Sequence, residues 1–254
     1  MKLIINADDF ALTNKVTEGI IKSIKLGVVR DTTIMVNTDS FNESVRLSKE
    51  NGIFKMGIHL NLTCGKPLLK REEVKTICDE SGNFFRKPKL IPKDINLLEV
   101  EKEYRAQIKR FKESGLKLNH IDSHHHTYIF NDSLLDIVIK LALEEGVPIR
   151  CPLNEKLDYI RKKGVKTPDY FEKSFYGDSL DGDHLIKRIE ELKEKYDVVE
   201  FMVHPAIVDE KLKEISSYSD PREKELEILT SKEVKNYIDN NNIELCSFDI
   251  LKED

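Results

Sequence analysis

His120-Ile121-Asp122-Ser123-His124-His125-His126 holds four of the chain's seven histidines and one carboxylate. If Leu118 to His126 is extended, side chains two apart share a face. His120, Asp122, His124 and His126 then point one way, and Ile121, Ser123 and His125 the other. Imidazoles and a carboxylate on one face form a ligand arrangement, because both donate lone pairs to a divalent cation. The stretch lies mid-chain within a strand pattern, which excludes an expression tag. A surface metal-binding tract is the blander reading. What decides between them is whether the rest of the chain brings more ligands to this face.

Outward from that stretch, short apolar runs alternate with amphipathic segments, a pattern that favours βαβ units and a parallel sheet. Strands are expected at Lys2–Asn6, Thr32–Asn37, Phe54–Thr63, Leu118–His124, Pro148–Cys151, Val198–Val203 and Ile243–Phe248. Helices are expected at Asn14–Leu26, Phe41–Asn51, Asn96–Ser114, Asp132–Glu145, Asp183–Tyr196 and from Thr230 to about Asn240. The helix at Asn96–Ser114 sets Leu97, Val100, Tyr104, Ile108 and Phe111 on one stripe and ends before Gly115. The third strand alternates cleanly: Gly57, His59, Asn61 and Thr63 share a polar face. Inside an α/β protein such a face fits the lumen mouth of a barrel. The expected fold is therefore an α/β, TIM-barrel-like (β/α) barrel, irregular or seven-stranded, with a doubly wound open sheet as the alternative.

Two stretches break the rhythm. Residues 64–93 carry Gly65, Pro67, Gly82, Pro88 and Pro92; a loop this long is a lid, a substrate wall or a variable surface insertion. Residues 152–182 carry Tyr159, Tyr170, Phe171, Phe175 and Tyr176, aromatics suited to stacking on a sugar ring or to satellite packing. One catalytic domain over residues 1–254 is expected, with both stretches as loop insertions near the site.

The 254 residues suit one large α/β domain, and a 39% hydrophobic content is ample for a core at this length. Charge is high but nearly balanced, with a net of −5, which argues against nucleic acid as a partner. The first apolar run is too short for a signal sequence or a membrane span. Cys64, Cys78, Cys151 and Cys246 are dispersed with no CxxC pair, so reduced thiols and a cytoplasmic location are expected.

Three further polar positions fall at or near expected strand ends, where active sites sit in barrels and open α/β sheets. Asp8-Asp9 follows the first strand, His59 lies on the third, and His204 ends the sixth. Each is weak alone: adjacent aspartates usually cap or solvate a turn, and a lone strand histidine is more often structural. Together they point to a metal-dependent hydrolase.

Four blocks also carry a family resemblance. They are Asn6-Ala7-Asp8-Asp9-Phe10, Gly57-Ile58-His59-Leu60-Asn61-Leu62-Thr63, His120–His126 and His204-Pro205-Ala206. In this order and spacing they resemble the YdjC-like carbohydrate deacetylases, which include chitooligosaccharide deacetylases. Ala11 departs from the glycine common there. The resemblance implies one divalent metal ion held by Asp9, His59 and His124. Magnesium is the ion it implies, although two imidazoles also suit zinc, manganese or cobalt. It implies removal of N-acetyl groups from amino sugars or short oligosaccharides, with an N-acetylated sugar as partner and a homodimer as the assembly. In that scheme Asp8 is the general base and His204 the acid. Asp122 and His126 are supports or alternate ligands, and Arg150 either pairs with Asp8 to keep it ionised or makes an ordinary surface or structural ion pair. Two rivals stand beside it. His124-x-His126 also looks like the HxH of metal-dependent amidohydrolase or phosphoesterase barrels, and a metal-stabilised sugar-binding protein without activity is the non-enzymatic reading.

Overall fold

The computed structural model describes residues 1–129 and 131–252. Seven parallel strands form one sheet: β1 (Lys2–Phe10), β2 (Asp31–Ile34), β3 (Lys55–Leu60), β4 (Lys117–Ser123), β5 (Tyr170–Glu172), β6 (Val198–Val203) and β7 (Glu244–Cys246). Their order is β4-β3-β2-β1-β6-β5, and β7 pairs with the first residues of β1. β1 is the central strand and is buried along nearly its whole length, as its continuous Leu3-Ile4-Ile5 run requires of a strand covered on both faces. Parallel pairing demands crossover connections, and helices supply them: α1 (Asn14–Leu26), α2 (Phe41–Glu50), α3 (Leu97–Glu113), α4 (Asp132–Glu145), α5 (Leu157–Lys162), α6 (Gly182–Lys193), α7 (Glu210–Ile215), α8 (Pro221–Leu229) and α9 (Lys232–Asn240).

The helix ends follow their side chains. Thr13 caps α1 by accepting from Val16 N, Asn96 caps α3 through Leu98 N, and Asn131 caps α4 through Ser133 N and Leu134 N. The apolar stripe of α3, Val100, Tyr104, Ile108 and Phe111, is buried as the spacing demands. Each such side chain contributes roughly 1.5–3 kcal/mol over its exposed state.

The architecture is α/β and barrel-like, and its seam explains an error of the sequence reading. Pro148–Cys151 is not a regular strand; it makes a single parallel bridge, Ile149 to Ile121 of β4. The fifth strand lies instead at Tyr170–Glu172, inside the stretch read as irregular. Between the two edges, Ile149 N donates to Lys166 O at 3.0 Å. The curved sheet thus nearly meets itself, and among the described residues no ladder joins β5 to Ile149. The apolar run at 148–151 announced burial, which a bridge segment and a strand share.

Three helices were also missed, α5, α7 and α8, each short and set in a stretch punctuated by Pro or Gly. Residues 64–93 are tied down by carboxylates of α3. Buried Glu103 accepts from Leu68 N and Leu69 N, at 3.0 and 3.1 Å. Glu99 accepts from Thr76 N and Oγ1, at 2.7 and 2.8 Å.

Candidate metal centre

β1 runs further than expected, through Asp8 and Asp9 to Phe10. In a regular strand two adjacent aspartates would face opposite sides of the sheet. Here the pairing with β2 shifts register between Ala7 and Phe10, and Asp9 adopts φ 68°. That irregularity lets both carboxylates serve one site. Ala11, two residues on, has φ 71°. Glycine adopts that backbone freely, whereas a Cβ costs about 1 kcal/mol there.

Asp9, His59 and His124 converge, with one donor atom from each within 4.8 Å of the others. Asp9 Oδ1 lies 2.9 Å from His124 Nδ1 and 3.3 Å from His59 Nε2. Its Oδ2 accepts from Arg222 Nη2 at 2.6 Å, so Asp9 presents one oxygen to the histidines. His59 Nδ1 lies 2.6 Å from Asp122 Oδ1, and Thr33 Oγ1 donates to Asp122 Oδ2 at 3.0 Å. Asp122 thereby fixes the ring of His59 with Nε2 toward Asp9, the support a ligating histidine commonly has. Asp8, His59 and Asp122 form a second cluster of the same tightness. Its carboxylates, however, are occupied by Arg150.

Arg150 sits at the seam and is fully buried. Nη1 and Nη2 donate to Asp8 Oδ2 and Oδ1 at 2.6 and 2.7 Å, Nη1 lies 2.9 Å from Asp122 Oδ2, and Nε donates to Glu200 Oε1 at 2.7 Å. One guanidinium thus links β1, β4 and β6 across the lumen. His204 follows β6, its Nε2 3.9 Å from Asp8 Oδ2. Its other nitrogen lies 3.9 Å from Glu225 Oε1 on α8, and Glu225 Oε2 accepts from His204 N.

Burial would raise the carboxyl of Asp8, but Arg150 overrides it and holds Asp8 well below the usual carboxylate range. Burial likewise opposes the ionisation of Asp9, and Arg222 with His124 reverses it. For His59 burial pulls down while Asp122 and Asp9 push up, to about 10. Burial and the Arg222 charge pull His204 down to about 4, so it is neutral at pH 7.

The opening stretch is only partly as read. β4 ends at Ser123, and His124–His126 form a tight turn with φ 55° at His125 and 52° at His126. The alternation therefore stops at His124, and His126 does not share its face. Its Nδ1 is buried without a partner, and its ring stands edge-on to Phe171 at 5.5 Å. Neither donor cluster found among the described residues includes His126, so the HxH pair of the rival reading is not assembled. His120 lies deeper, stacked on Phe248 at 3.7 Å. Arg222, Glu225, Thr33 and Glu200 went unread. For α8 a signal existed: Pro221 at the first helical position, then Arg222, Glu225, Leu226 and Leu229 at helical spacing.

Two aspartates and two histidines at or near the carboxyl ends of parallel strands, with a buried arginine from the bridge segment, define a barrel-like α/β protein with a candidate metal centre. The chain belongs to the YdjC-like protein family, whose model matches residues 2–240. A carbohydrate deacetylase of Brevibacillus brevis is 42% identical over 255 residues, covering 99% of this chain and all of the relative. One from Listeria welshimeri is 39% identical, covering 98% and 99%. A crystal structure from Enterococcus faecalis, of a protein proposed to be a cellobiose-phosphate cleavage protein, superposes with a TM-score of 0.93 at 37% identity over 98% of each chain. The CE4 domain of a xylanase from a termite hindgut metagenome shares the fold alone, with a TM-score of 0.53 at 7% identity over 99% of this chain and 89% of that one.

Proposed function

We propose that the protein is a metal-dependent carbohydrate deacetylase that hydrolyses the N-acetyl group of an amino sugar or short chitooligosaccharide and releases acetate. The observation that carries this is one carboxylate and two imidazoles gathered beside a second aspartate that Arg150 clamps and His204 faces. The donor set fits a divalent cation: Asp9, His59 and His124 would hold it, and mixed oxygen and nitrogen donors leave its identity to magnesium, zinc, manganese or cobalt. Such an ion supplies Lewis-acid polarisation of the amide and a lowered pKa for the attacking water.

The chain's own residues supply the proton path. Asp8, ionised and oriented by two bonds from Arg150, takes the proton of the attacking water. His204 is neutral at rest, so the proton it gives the leaving amine is one gained during turnover. Asp8, which carries the proton taken from water and has Oδ2 3.9 Å from His204 Nε2, is the source. The C–N bond then breaks with the amine protonated, and His204 returns to its neutral form. Asp122 and Thr33 keep His59 in register while Arg222 restricts Asp9 to one free oxygen.

The test is acetate release from diacetylchitobiose and a panel of N-acetylated sugars, after chelation and metal restoration. Acetate is expected from at least one of them, in proportion to metal bound. Metal-loaded protein that releases none from any of them sinks the proposal.

A further inference from the structure

Tyr176 comes from the stretch 152–182 and Tyr218 from the connection between α7 and α8, yet their rings meet. The centroids are 3.9 Å apart and the planes 11° from parallel. Each ring also stands roughly edge-on to His204, at 5.6 and 5.7 Å. Tyr218 is held from several sides: its hydroxyl donates to Glu225 Oε1 at 2.6 Å and accepts from Gly177 N at 3.2 Å. The guanidinium of Arg222 lies 5.6 Å from its ring centroid. Because Gly177 follows Tyr176 directly, the same hydroxyl pins the turn that carries Tyr176.

Tyr218 covers one face of the Tyr176 ring, and Tyr176 remains 44% exposed. A lone exposed tyrosine is ordinary. A tyrosine whose ring plane is fixed by a hydrogen-bonded partner, beside the histidine that faces Asp8, is a flat surface organised before any ligand arrives. Pyranose rings present a face of C–H groups that packs on an aromatic ring while their hydroxyls stay hydrated. Tyrosine, apolar in its ring and wet at its hydroxyl, suits such a ligand. The chain has no tryptophan, so tyrosine is its largest aromatic side chain.

We propose that the open face of Tyr176 is a sugar-ring subsite, on which the pyranose adjoining the one that carries the scissile acetamide stacks. The subsite rests on the reading of the substrate as an N-acetylated carbohydrate. It makes an oligosaccharide a better substrate than the monosaccharide, through a residue outside the proposed ligand set Asp9, His59 and His124.

The test compares wild type with Tyr176→Ala and Tyr176→Phe on N-acetylglucosamine and diacetylchitobiose. Calorimetric binding of chitobiose, which carries no acetyl group, runs alongside. In Tyr176→Ala the ratio of kcat/KM for disaccharide over monosaccharide is expected to fall about tenfold, equivalent to about 1.4 kcal/mol. Chitobiose should bind about tenfold more weakly. Tyr176→Phe should keep both within about twofold, because the ring and not the hydroxyl does the work. A ratio unchanged in Tyr176→Ala, or a loss as large in Tyr176→Phe, overturns the subsite. If wild type releases no acetate from either sugar, the deacetylase reading fails and chitobiose binding alone decides: weaker binding in Tyr176→Ala upholds the subsite, and equal or absent binding overturns it. Tyr176→Leu, which keeps apolar bulk without a ring, should behave as Tyr176→Ala; if it binds like wild type the aromatic face is irrelevant and the subsite is lost.

Discussion

Replacing Arg150 with methionine removes the guanidinium that Asp8, Asp122 and Glu200 share, while nearly conserving volume. Removing one partner from a buried ion pair costs about 3–5 kcal/mol, because the remaining charge is stranded away from water. In a chain of this size 1 kcal/mol corresponds to about 2–4 °C in Tm, so a fall of roughly 6–20 °C is expected. Glu200 adds little to that loss near neutral pH. Burial already pushes it up to about 8 despite Arg150, so it keeps its proton there.

Asp8 carries the pH dependence. In wild type its folded pKa lies below its unfolded value of about 3.9. Its contribution is therefore present above about pH 4 and fades as the pH falls through the lowered value. Without Arg150 burial is opposed only by the smaller effects of His59 and His204 and by a bond from Asn6, and the folded pKa rises above the unfolded one. The contribution in the variant is then full below about pH 4 and is lost as the pH rises. The gap in Tm between wild type and Arg150→Met should be narrow at pH 4 and wide at pH 7.5, read by calorimetric unfolding of metal-free protein. A gap of the same size at both pH values, or none at either, refutes this account of the lumen.

Three other outcomes are expected. Asp8→Asn should lower acetate release about 10²–10⁴-fold, the usual worth of a general base, while binding one metal ion per chain; loss of the metal would mean that the two aspartates have exchanged roles. His59, held near 10 without metal, must lose its proton to bind one. Metal uptake at pH 7.5 should therefore release about one proton per ion, measured by calorimetry in buffers of different ionisation enthalpy, and no release would remove His59 from the ligand set. Gly57→Ala should destabilise the fold by about 1–3 kcal/mol in chemical denaturation. A Cβ there would lie 2.3 Å from the His120 ring, which is stacked on Phe248 and has nowhere to go; wild-type stability in this variant would show that the ring yields.

Much of the fold was written locally. Lys2, Asp132 and Val198 each begin an element where the sequence places it, because apolar periodicity and caps are short-range signals. The short β5 was invisible for the opposite reason. Tyr170-Phe171-Glu172 becomes a strand only because β6 offers it an edge, with Phe171 opposite Glu200. The site divides along the same line. His59 and His204 could be picked out beside Asp8-Asp9, since strand ends are where such groups gather. Arg222 and Glu225 could not: Arg222 lies 213 residues from Asp9 and Glu225 21 residues from His204, and nothing in the sequence of α8 points to either partner.

Taken alone, the sequence determined which residue types stand at which strand ends, and so a barrel-like α/β fold carrying carboxylates and imidazoles at one rim. Tertiary structure decided which of them meet. The left-handed backbone at Asp9 turns two neighbours into one site, and the turn at His125 and His126 withdraws the last histidine from the face that alternation assigned to it. Arg150, buried at the seam, gathers three carboxyl groups from three strands. Such choices depend on where distant segments leave a buried charge its only partner, which no local pattern records.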